Sequence, residues 1–186
     1  MTKLVSKDSI RKTLIKGRKS LSGDEISQKS SKIFKNLLKI DAIATKKRVL
    51  LYLPINNEVE TAEILAYFKN MGAEIYLPGY FDGQWLCLKF VQETDLIAGP
   101  FGTLQPKYGD TIEGGLDLAI IPAVGFSKSL IRLGYGNGVY DRLLSDSRAL
   151  MVGLAYDFQI VDYLPAKPHD LRMNFVVTNS GVLAKS

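Results

Sequence analysis

The chain has 186 residues, of which 46% are hydrophobic and 23% are charged. These values are typical of a soluble globular protein, and the length predicts one domain over residues 1–186. A single cysteine and a single histidine exclude an internal disulfide and a zinc site built from thiolates and imidazoles. No apolar run is long enough to span a membrane, and the polar N-terminus lacks a signal-peptide core. We therefore expect a cytoplasmic protein with no membrane contact, and we expect a monomer.

Charge is distributed unevenly along the chain. The first 48 residues hold 14 of the 24 basic residues and 4 of the 19 acidic residues. A pair of solvated helices is the first interpretation, and attraction of small polyanions is the second. A nucleic-acid surface is the third, but the segment lacks the interleaved aromatic residues that single-strand binding uses. We predict no nucleic-acid partner.

Two helices are predicted at the start of the chain. Residues 6–21 predict a helix in which Ile10 and Leu14 share one face. Lys7 and Arg11 are also four residues apart, so both side chains can converge on one anion. Residues 22–25 have the pattern of a capping box and open a second helix. The predicted apolar stripe of that helix consists of Ile26, Ile33, Phe34, Leu37 and Leu38.

Short apolar runs follow and indicate strands. They lie at residues 49–53, 75–77, 86–90, 118–121, 151–155 and 175–177. Three of the runs are followed by Pro54, Pro78 and Pro122, which we expect to end ladder pairing. Residues 61–70 predict a helix closed by Gly72, and a last helix is predicted from residues 138–139 through Leu144.

The alternation of strands and helices predicts the fold class. It indicates an α/β protein with a mostly parallel sheet covered on both faces. Residues 80–105 show less helical pattern, so we expect an antiparallel hairpin there. Ligands of such folds lie outside the carboxyl ends of the strands. Glu58, residues 134–138 and the segment after Ala155 all follow predicted strands, so one cleft can collect them.

The most informative stretch is residues 132–142. Three glycines alternate at 134, 136 and 138, and such glycines allow a ligand to approach the main chain closely. Successive amide groups in such a loop can form a concave site for anions. Arg132 adds a planar fork suited to phosphate oxygens, and Asp141 adds an oxygen ligand of the kind that Mg²⁺ prefers. The stretch predicts a site for a nucleoside triphosphate and its metal.

Glycine spacing alone leaves another interpretation open, namely a wide turn between a strand and a helix. The stretch is not a Walker A loop, because no Gly-Lys-Ser/Thr follows it. It is also a poor dinucleotide-binding fingerprint, because the preceding apolar run ends about ten residues earlier, whereas such a motif follows its strand at once.

The wider sequence resembles the 5-formyltetrahydrofolate cyclo-ligase family, also called 5,10-methenyltetrahydrofolate synthetase. Residues 132–142 are the most specific part of the resemblance, which spans nearly the whole chain. The other matching segments occur in the family's order at residues 7–11, 51–53, 58–61, 101–106, 120–126, 168–170 and 176–178. Four positions depart from the family's usual pattern: Val139 replaces a tyrosine, Gln105 a glutamate, Ser127 an aspartate and Leu130 a common glycine.

The resemblance implies a three-layer α/β/α sandwich and an ATP-dependent reaction. In that reaction 5-formyltetrahydrofolate becomes 5,10-methenyltetrahydrofolate while ATP becomes ADP and phosphate, with Mg²⁺ as cofactor. Phosphorylation of the formyl oxygen precedes attack by N10 of the folate. Two alternatives remain open at this point: a non-catalytic folate- or nucleotide-binding relative, and a related ligase or kinase that acts on another carbonyl substrate.

The resemblance also implies roles for individual residues. Arg132 and Tyr140 are the catalytic candidates, and Asp141 and Asp170 are the metal ligands. The ATP-binding candidates are Lys7, Arg11, Arg132, Leu133, Gly134, Tyr135, Gly136, Asn137, Gly138, Val139 and Tyr140. The folate-binding candidates are Leu53, Glu58, Tyr135, Gly136, Asn137, Gly138 and Val139.

Two further side chains attract attention without entering this site. Trp85 lies in an apolar run and is predicted to belong to the core, with pterin stacking as the alternative. His169, the only histidine, lies in a turn next to a proline, and the reaction needs no strong base. We expect His169 to hydrogen-bond locally or to place Asp170.

Overall fold

Four α-helices are distributed among twelve strands in the described part of the chain. The computed structural model describes residues 6–112, 115–165 and 170–184. The strands in chain order are β1 (Arg48–Leu50), β2 (Glu74–Phe81), β3 (Gln84–Phe90), β4 (Leu96–Ala98), β5 (Leu104–Pro106), β6 (Leu118–Pro122), β7 (Gly125–Ser127), β8 (Arg132–Leu133), β9 (Leu150–Leu154), β10 (Ile160–Val161), β11 (Phe175–Val177) and β12 (Val182–Ala184). The helices are α1 (Lys7–Lys19), α2 (Gly23–Leu37), α3 (Ala62–Asn70) and α4 (Val139–Leu143).

The central sheet has seven strands in the order β12-β11-β9-β6-β1-β2-β3. The five inner strands are parallel, and both edge strands pair antiparallel. The β2–β3 hairpin turns at Asp82 and Gly83, which have φ angles of 48° and 81°. The α/β fold with a mostly parallel sheet and an antiparallel hairpin is therefore confirmed.

The helices begin and end where local chemistry directs them. The side chain of Ser6 accepts a hydrogen bond from the N–H of Ser9 and caps α1. Ser22 and Glu25 form the predicted capping box of α2. Gly72 follows α3 with a φ of 68°, as expected of a residue that closes a helix. Leu38, predicted for the apolar stripe, is 40% exposed because α2 ends one residue earlier.

Alternate residues of the inner strands face two different outer layers, which confirms the three-layer arrangement. On one face, α2 and α3 pack their buried side chains against the sheet. On the other face lie α4 and a small sheet of order β10-β7-β8, so this layer is less helical than the sequence suggests. Gly153 of β9 lets the Phe126 ring approach, because a Cβ at residue 153 would lie 2.3 Å from that ring.

Several strand boundaries differ from the predicted ones, and β6 includes Pro122, which pairs with Leu154 of β9 and so does not end ladder pairing as expected. β1 ends at Leu50, although Leu51 and Tyr52 are buried, because burial continues where ladder pairing stops. β2 continues through Pro78, which pairs with Cys87 of β3. Tyr80, two residues further along, donates its N–H to the side chain of Gln105 and not to β3. The nitrogen of Pro78 therefore also faces away from β3, so its missing N–H breaks no ladder bond.

The order of the inner strands creates a crevice at one end of the sheet. The chain runs from β1 to its neighbour β2 on one side and later returns to β6 on the other side of β1. In open α/β sheets, ligands bind at the carboxyl ends of strands where the order reverses in this way. The short strands β4, β5, β7, β8, β10 and β12 were not predicted. No helix in the described part of the chain is long and apolar enough to cross a membrane.

Candidate active site

A cavity of about 750 Å³ lies at the carboxyl ends of β1 and β6. It collects side chains from α1, the segment after β1, the β2–β3 hairpin and the stretch from β8 into α4. The sequence-predicted site residues that line it are Lys7, Arg11, Leu53, Glu58, Arg132, Leu133, Gly134, Tyr135, Gly136, Asn137, Gly138, Val139, Tyr140, Asp141 and Asp170. The structure therefore brings all of the predicted site residues to one cavity.

Arg132 lies in the floor of the cavity and is only 8% exposed. Its Nε donates to the carbonyl of Pro122 at 2.9 Å, and its guanidinium lies over the Tyr140 ring, 4.9 Å from the centroid. Burial lowers the pKa of Arg132, while the nearby Asp141 opposes that shift. Arginine nevertheless stays protonated in proteins, so a fixed positive charge faces the cavity.

The glycine-rich loop (residues 134–138) depends on backbone conformations and close approaches that favour glycine. Gly136 and Gly138 have φ angles of 108° and 62°. A Cβ on Gly134 would lie 2.8 Å from a guanidinium nitrogen of Arg132. Arg11 of α1 donates from Nε to the carbonyl of Gly134 at 2.8 Å, which ties the loop to the N-terminal helix. The glycine-rich loop therefore both turns the chain into α4 and lies close to the cations Arg11 and Arg132, as predicted.

The two predicted metal ligands lie on the same side of the cavity, and each has a cationic neighbour. Lys7 Nζ lies 2.6 Å from Asp170 Oδ2. Asp141 Oδ2 lies 3.9 Å from Arg132 Nη1, and Asp141 Oδ1 accepts the N–H of Leu171 at 3.4 Å. Within the described residues, no group of three or more acidic, histidine or cysteine side chains forms a cage. Two carboxylates fit Mg²⁺, which commonly takes one or two protein carboxylates together with substrate phosphates and water.

Glu58 is presented to the cavity by the Glu58 turn (residues 55–58). Asn56 and Asn57 both have positive φ angles, of 50° and 59°, which reverse the chain. Glu58 is 5% exposed, and its Oε2 accepts the N–H of Ile55 at 3.1 Å. Burial raises the pKa of Glu58, and the Arg18 guanidinium opposes that rise most strongly. A buried carboxylate with partners on both of its oxygens therefore lines the cavity.

Arg18 is the main residue of this region that the sequence analysis missed. It is 1% exposed at the end of α1 and lies behind the cavity wall, with Nη1 3.8 Å from Glu58 Oε1. It also donates to the hydroxyl of Tyr135 in the glycine-rich loop. The available signal was its spacing, because Arg18 follows Arg11 by seven residues and Leu14 by four and so shares their helix face.

Aromatic side chains surround the mouth of the cavity. Trp85 was predicted to be a core residue, but it is half-buried and lines the cavity, because it lies near the turn of a hairpin that projects past the sheet. Its ring stacks at 14° on that of Phe101, with 6.4 Å between centroids. Phe101 is 61% exposed and was not predicted. His169 lies outside the described residues.

The segment after Ala155 does not line the cavity as predicted, as far as residues 156–165 are concerned. Tyr156 is fully buried, and its hydroxyl donates to the main-chain carbonyl of Glu58 at 3.2 Å. The segment therefore supports the Glu58 turn from behind. The physical reason is that Tyr156 continues the apolar core beyond the end of β9.

Three departures from the family's usual pattern, at Gln105, Ser127 and Leu130, have local structural explanations. Val139 lines the cavity as the first residue of α4, and the structure offers no such explanation for it. Gln105 is buried and both accepts from the N–H and donates to the carbonyl of Tyr80. An ionised glutamate would only accept. The Ser127 hydroxyl accepts the N–H of Ile131 at 3.1 Å within the β7–β8 turn. Leu130 has a φ of 64°, a conformation that favours glycine, while its side chain is 2% exposed.

Comparisons with known proteins find relatives over nearly the whole chain. A 5-formyltetrahydrofolate cyclo-ligase from Mycoplasma pneumoniae is 31% identical over 183 residues, covering 94% of this chain and 99% of that protein. The mouse protein of the same name is 27% identical over 188 residues, covering 92% of this chain and 93% of its own length.

Solved structures with the same architecture are also similar in sequence. The NMR structure of 5,10-methenyltetrahydrofolate synthetase from Aquifex aeolicus superimposes with a TM-score of 0.85 at 31% identity, covering 96% of this chain and 92% of that one. The corresponding Mycoplasma pneumoniae structure gives 0.75 at 29% identity, covering 93% and 98%. Residues 3–179 match the profile of the family itself. This chain therefore belongs to the 5-formyltetrahydrofolate cyclo-ligase family of enzymes.

Proposed function

We propose that the chain converts 5-formyltetrahydrofolate to 5,10-methenyltetrahydrofolate and uses ATP, which leaves as ADP and phosphate. The observation that carries the proposal is the cavity at the carboxyl ends of β1 and β6. Its lining includes a buried guanidinium and a buried carboxylate. These groups come from separate parts of the chain, Arg132 and Glu58. A polyanion and a donor-rich ring can therefore meet in one enclosed space.

The phosphate end consists of Lys7, Arg11, Arg132 and the glycine-rich loop, which we call the cationic wall. Arg132 offers a fork to phosphate oxygens, and the loop offers main-chain amides. Lys7 and Arg11 lie on one face of α1 and both line the cavity. These groups bind the triphosphate and hold its terminal phosphoryl group in line with the folate.

The folate end consists of Glu58, Leu53 and the aromatic mouth. The edge of a pterin carries several N–H donors, and an ionised carboxylate accepts two of them side by side. Leu53 and Trp85 provide apolar surface in the same cavity. The pterin lies against Glu58, which turns its formyl group toward the cationic wall.

The chemistry needs position and electrostatics more than a covalent nucleophile. The formyl oxygen takes the terminal phosphoryl group and the bond to ADP breaks. N10 then attacks the formyl carbon, the carbon–oxygen bond breaks as phosphate leaves, and the N10 proton leaves with the phosphate. Arg132 stabilises the charge that develops on the transferring group. Burial raises the pKa of Tyr140, so its hydroxyl stays protonated and can donate to the same oxygens.

Mg²⁺ is the cofactor that fits the two carboxylates Asp141 and Asp170. When bound, it neutralises phosphate charge and orients the triphosphate. The chain's own contribution is the fixed position of Asp141 at the start of α4, next to the glycine-rich loop. We also propose that the protein acts as a monomer in the cytoplasm, without nucleic-acid or membrane partners.

One assay tests the proposed function. The protein is mixed with 5-formyltetrahydrofolate, ATP and Mg²⁺, and the methenyl product is followed by near-ultraviolet absorbance while ADP is quantified separately. The proposal expects equal amounts of both products and none without ATP or with a chelator in excess of Mg²⁺. ADP without the methenyl product indicates another carbonyl substrate.

A second candidate function is a relative that binds folate without turnover. Val139, which lines the cavity without a ring or hydroxyl, is the observation that favours it. Folate binding measured by calorimetry together with no product in the assay would establish this alternative. Product formation that rises after Val139→Tyr would instead show that the substitution tunes an active enzyme.

A further inference from the structure

Arg18 is a buried cation that the proposed chemistry does not use. It does not line the cavity, and its Nη1 donates to the carbonyl of Ala123 at 3.1 Å. Its Nε has no hydrogen-bond partner within the described part of the chain. A buried guanidinium with an unsatisfied donor is costly, and an apolar side chain of similar length would fill the space without that cost. Packing alone therefore does not explain an arginine at this position.

The contacts of Arg18 connect three separate segments. Its Nη2 donates to the Tyr135 hydroxyl, and that hydroxyl donates in turn to Glu58 Oε1 at 3.3 Å. The main-chain carbonyl of Arg18 accepts from Asn57 Nδ2 at 3.2 Å. The end of α1 thus touches both the glycine-rich loop and the Glu58 turn.

We infer that Arg18 is a positioning residue that keeps the Glu58 carboxylate and the Tyr135 ring in the geometry that binds the folate substrate. The inference rests on the proposed function, because it takes Glu58 to be the group that meets the pterin. Arg18 acts through these two neighbours and does not touch substrate. It also connects the folate end of the cavity to the loop that faces the phosphates.

The charges around Glu58 favour this role. Burial raises the pKa of Glu58, and among the groups that oppose the rise Arg18 acts most strongly, ahead of the Ile55 N–H and the Tyr135 hydroxyl. Without Arg18 the pKa rises further, and a protonated carboxyl accepts fewer hydrogen bonds. The titratable or charged groups near Glu58 are Arg18 of α1, Tyr135 of the glycine-rich loop, Arg132 of β8, Tyr140 of α4, Tyr52 after β1 and Tyr156 after β9.

The test compares Arg18→Met, Arg18→Lys and wild type between pH 6 and pH 9. Methionine keeps much of the apolar stem and removes the charge. We expect Arg18→Met to raise the KM for 5-formyltetrahydrofolate about tenfold or more at neutral pH, because a charged hydrogen-bond network is lost, with a much smaller change in the KM for ATP. In both proteins the folate KM falls as the pH rises. In Arg18→Met this fall occurs at a higher pH than in the wild type. Arg18→Lys restores the pH profile and part of the affinity.

Lys19→Met is the matched control, since Lys19 is exposed on the same turn of α1. It leaves the folate KM and its pH profile unchanged. The inference is overturned if Arg18→Met keeps the wild-type folate KM and pH profile, or if it lowers kcat alone. It is equally overturned if Lys19→Met produces the same shift, because the effect would then follow net charge.

A thermal experiment separates this inference from the proposed function. Arg18→Met lowers the Tm because it leaves the Glu58 charge buried without its cation. Adding Glu58→Gln to that variant removes the charge, and we expect it to recover part of the lost Tm. Failure to recover any of it contradicts the pairing of the two residues. If wild type forms no methenyl product, the proposed function fails, while this thermal comparison still decides whether Arg18 serves Glu58.

Discussion

The cationic wall and the Glu58 turn line one cavity and meet where the Tyr135 hydroxyl donates to Glu58, but they are built differently. The side chains of Lys7 and Asp170, paired on the cationic side, are 18% and 14% exposed. Glu58 is 5% exposed and is held from behind by Arg18, which is 1% exposed. The Lys7–Asp170 pair places charges within reach of water, although Arg132 of the same wall is buried at 8% exposed, and the Glu58 turn buries its charge in a shell of specific partners.

The ligands explain this difference. A triphosphate brings several negative charges, so cations and main-chain amides on an accessible surface attract it without burial of each group. A pterin edge is uncharged and offers N–H donors, which water satisfies equally well. A carboxylate recognises that edge strongly only where water is excluded, and there its ionisation depends on its neighbours.

The largest effect is expected at the cationic wall. Arg132→Ala should lower kcat by about 10² to 10³, because it removes a preorganised charge from the site of phosphoryl transfer. The measurement is the rate of methenyl formation at saturating folate and ATP. Arg148→Ala, an exposed arginine at the end of the same segment, should leave the rate unchanged. Wild-type turnover in Arg132→Ala would remove the residue from the mechanism.

In the Glu58 turn, Glu58→Gln should act on folate affinity. We expect the KM for 5-formyltetrahydrofolate to rise about 10- to 100-fold, which corresponds to the loss of hydrogen bonds to a charged group. The KM for ATP should change little. Glu60→Gln, two residues away and exposed, is the control. If both KM values rose equally, the separation of the cavity into two ends would be wrong.

Asp141→Asn tests the metal site. The Mg²⁺ concentration that gives half-maximal activity should rise about tenfold, because a neutral amide is a weaker ligand for a hard cation. The measurement is a Mg²⁺ titration of activity at fixed ATP. Asp146→Asn, in the exposed segment after α4, should not move the titration curve. An identical curve for Asp141→Asn would argue that Asp141 serves only to accept the N–H of Leu171.

Stability should depend on pH through Glu58. Its pKa in the fold is raised above the ordinary 4.5, so protons bind more tightly to the native state. The relative stability that Glu58 contributes is therefore present below that ordinary value and is lost as pH rises through the raised pKa. Denaturant unfolding of wild type and Glu58→Gln should show wild type losing stability relative to the variant over this range. The opposite trend would mean that Arg18 more than compensates for burial.

The smallest effect concerns the turn that leads into Arg132. Leu130 combines a buried side chain with a left-handed backbone conformation. Truncating the side chain therefore lowers stability, whereas relieving the backbone strain raises it. Leu130→Gly and Leu130→Ala both lose core packing, but glycine also relieves the backbone. We expect the glycine variant to be more stable than the alanine variant by about 1 kcal/mol. Chemical denaturation measures the difference, and an alanine variant that is the more stable of the two would contradict the strain.

Local patterns predicted much of the fold and of the cationic wall. The capping box, the glycine that closes α3 and the alternating glycines all act within a few residues. Each can therefore be recognised from a short stretch of sequence. The strands with continuous apolar runs were also predicted, because parallel strands buried on both faces need such runs. The prediction that Pro78 ends ladder pairing was wrong, because the consequence of a missing N–H depends on which neighbouring strand the nitrogen faces.

The sequence by itself determined the α/β class, the family resemblance and the residues that gather around the cavity, because these depend on short-range spacing and on motifs. Tertiary structure alone decided that Arg18 lies behind Glu58, that Trp85 lines the cavity and that Gln105 pairs with a neighbouring main chain. The pairs Tyr80–Gln105 and Arg18–Tyr135 are 25 and 117 positions apart along the chain. Their energies depend on burial and on partners that meet only when the sheet is assembled.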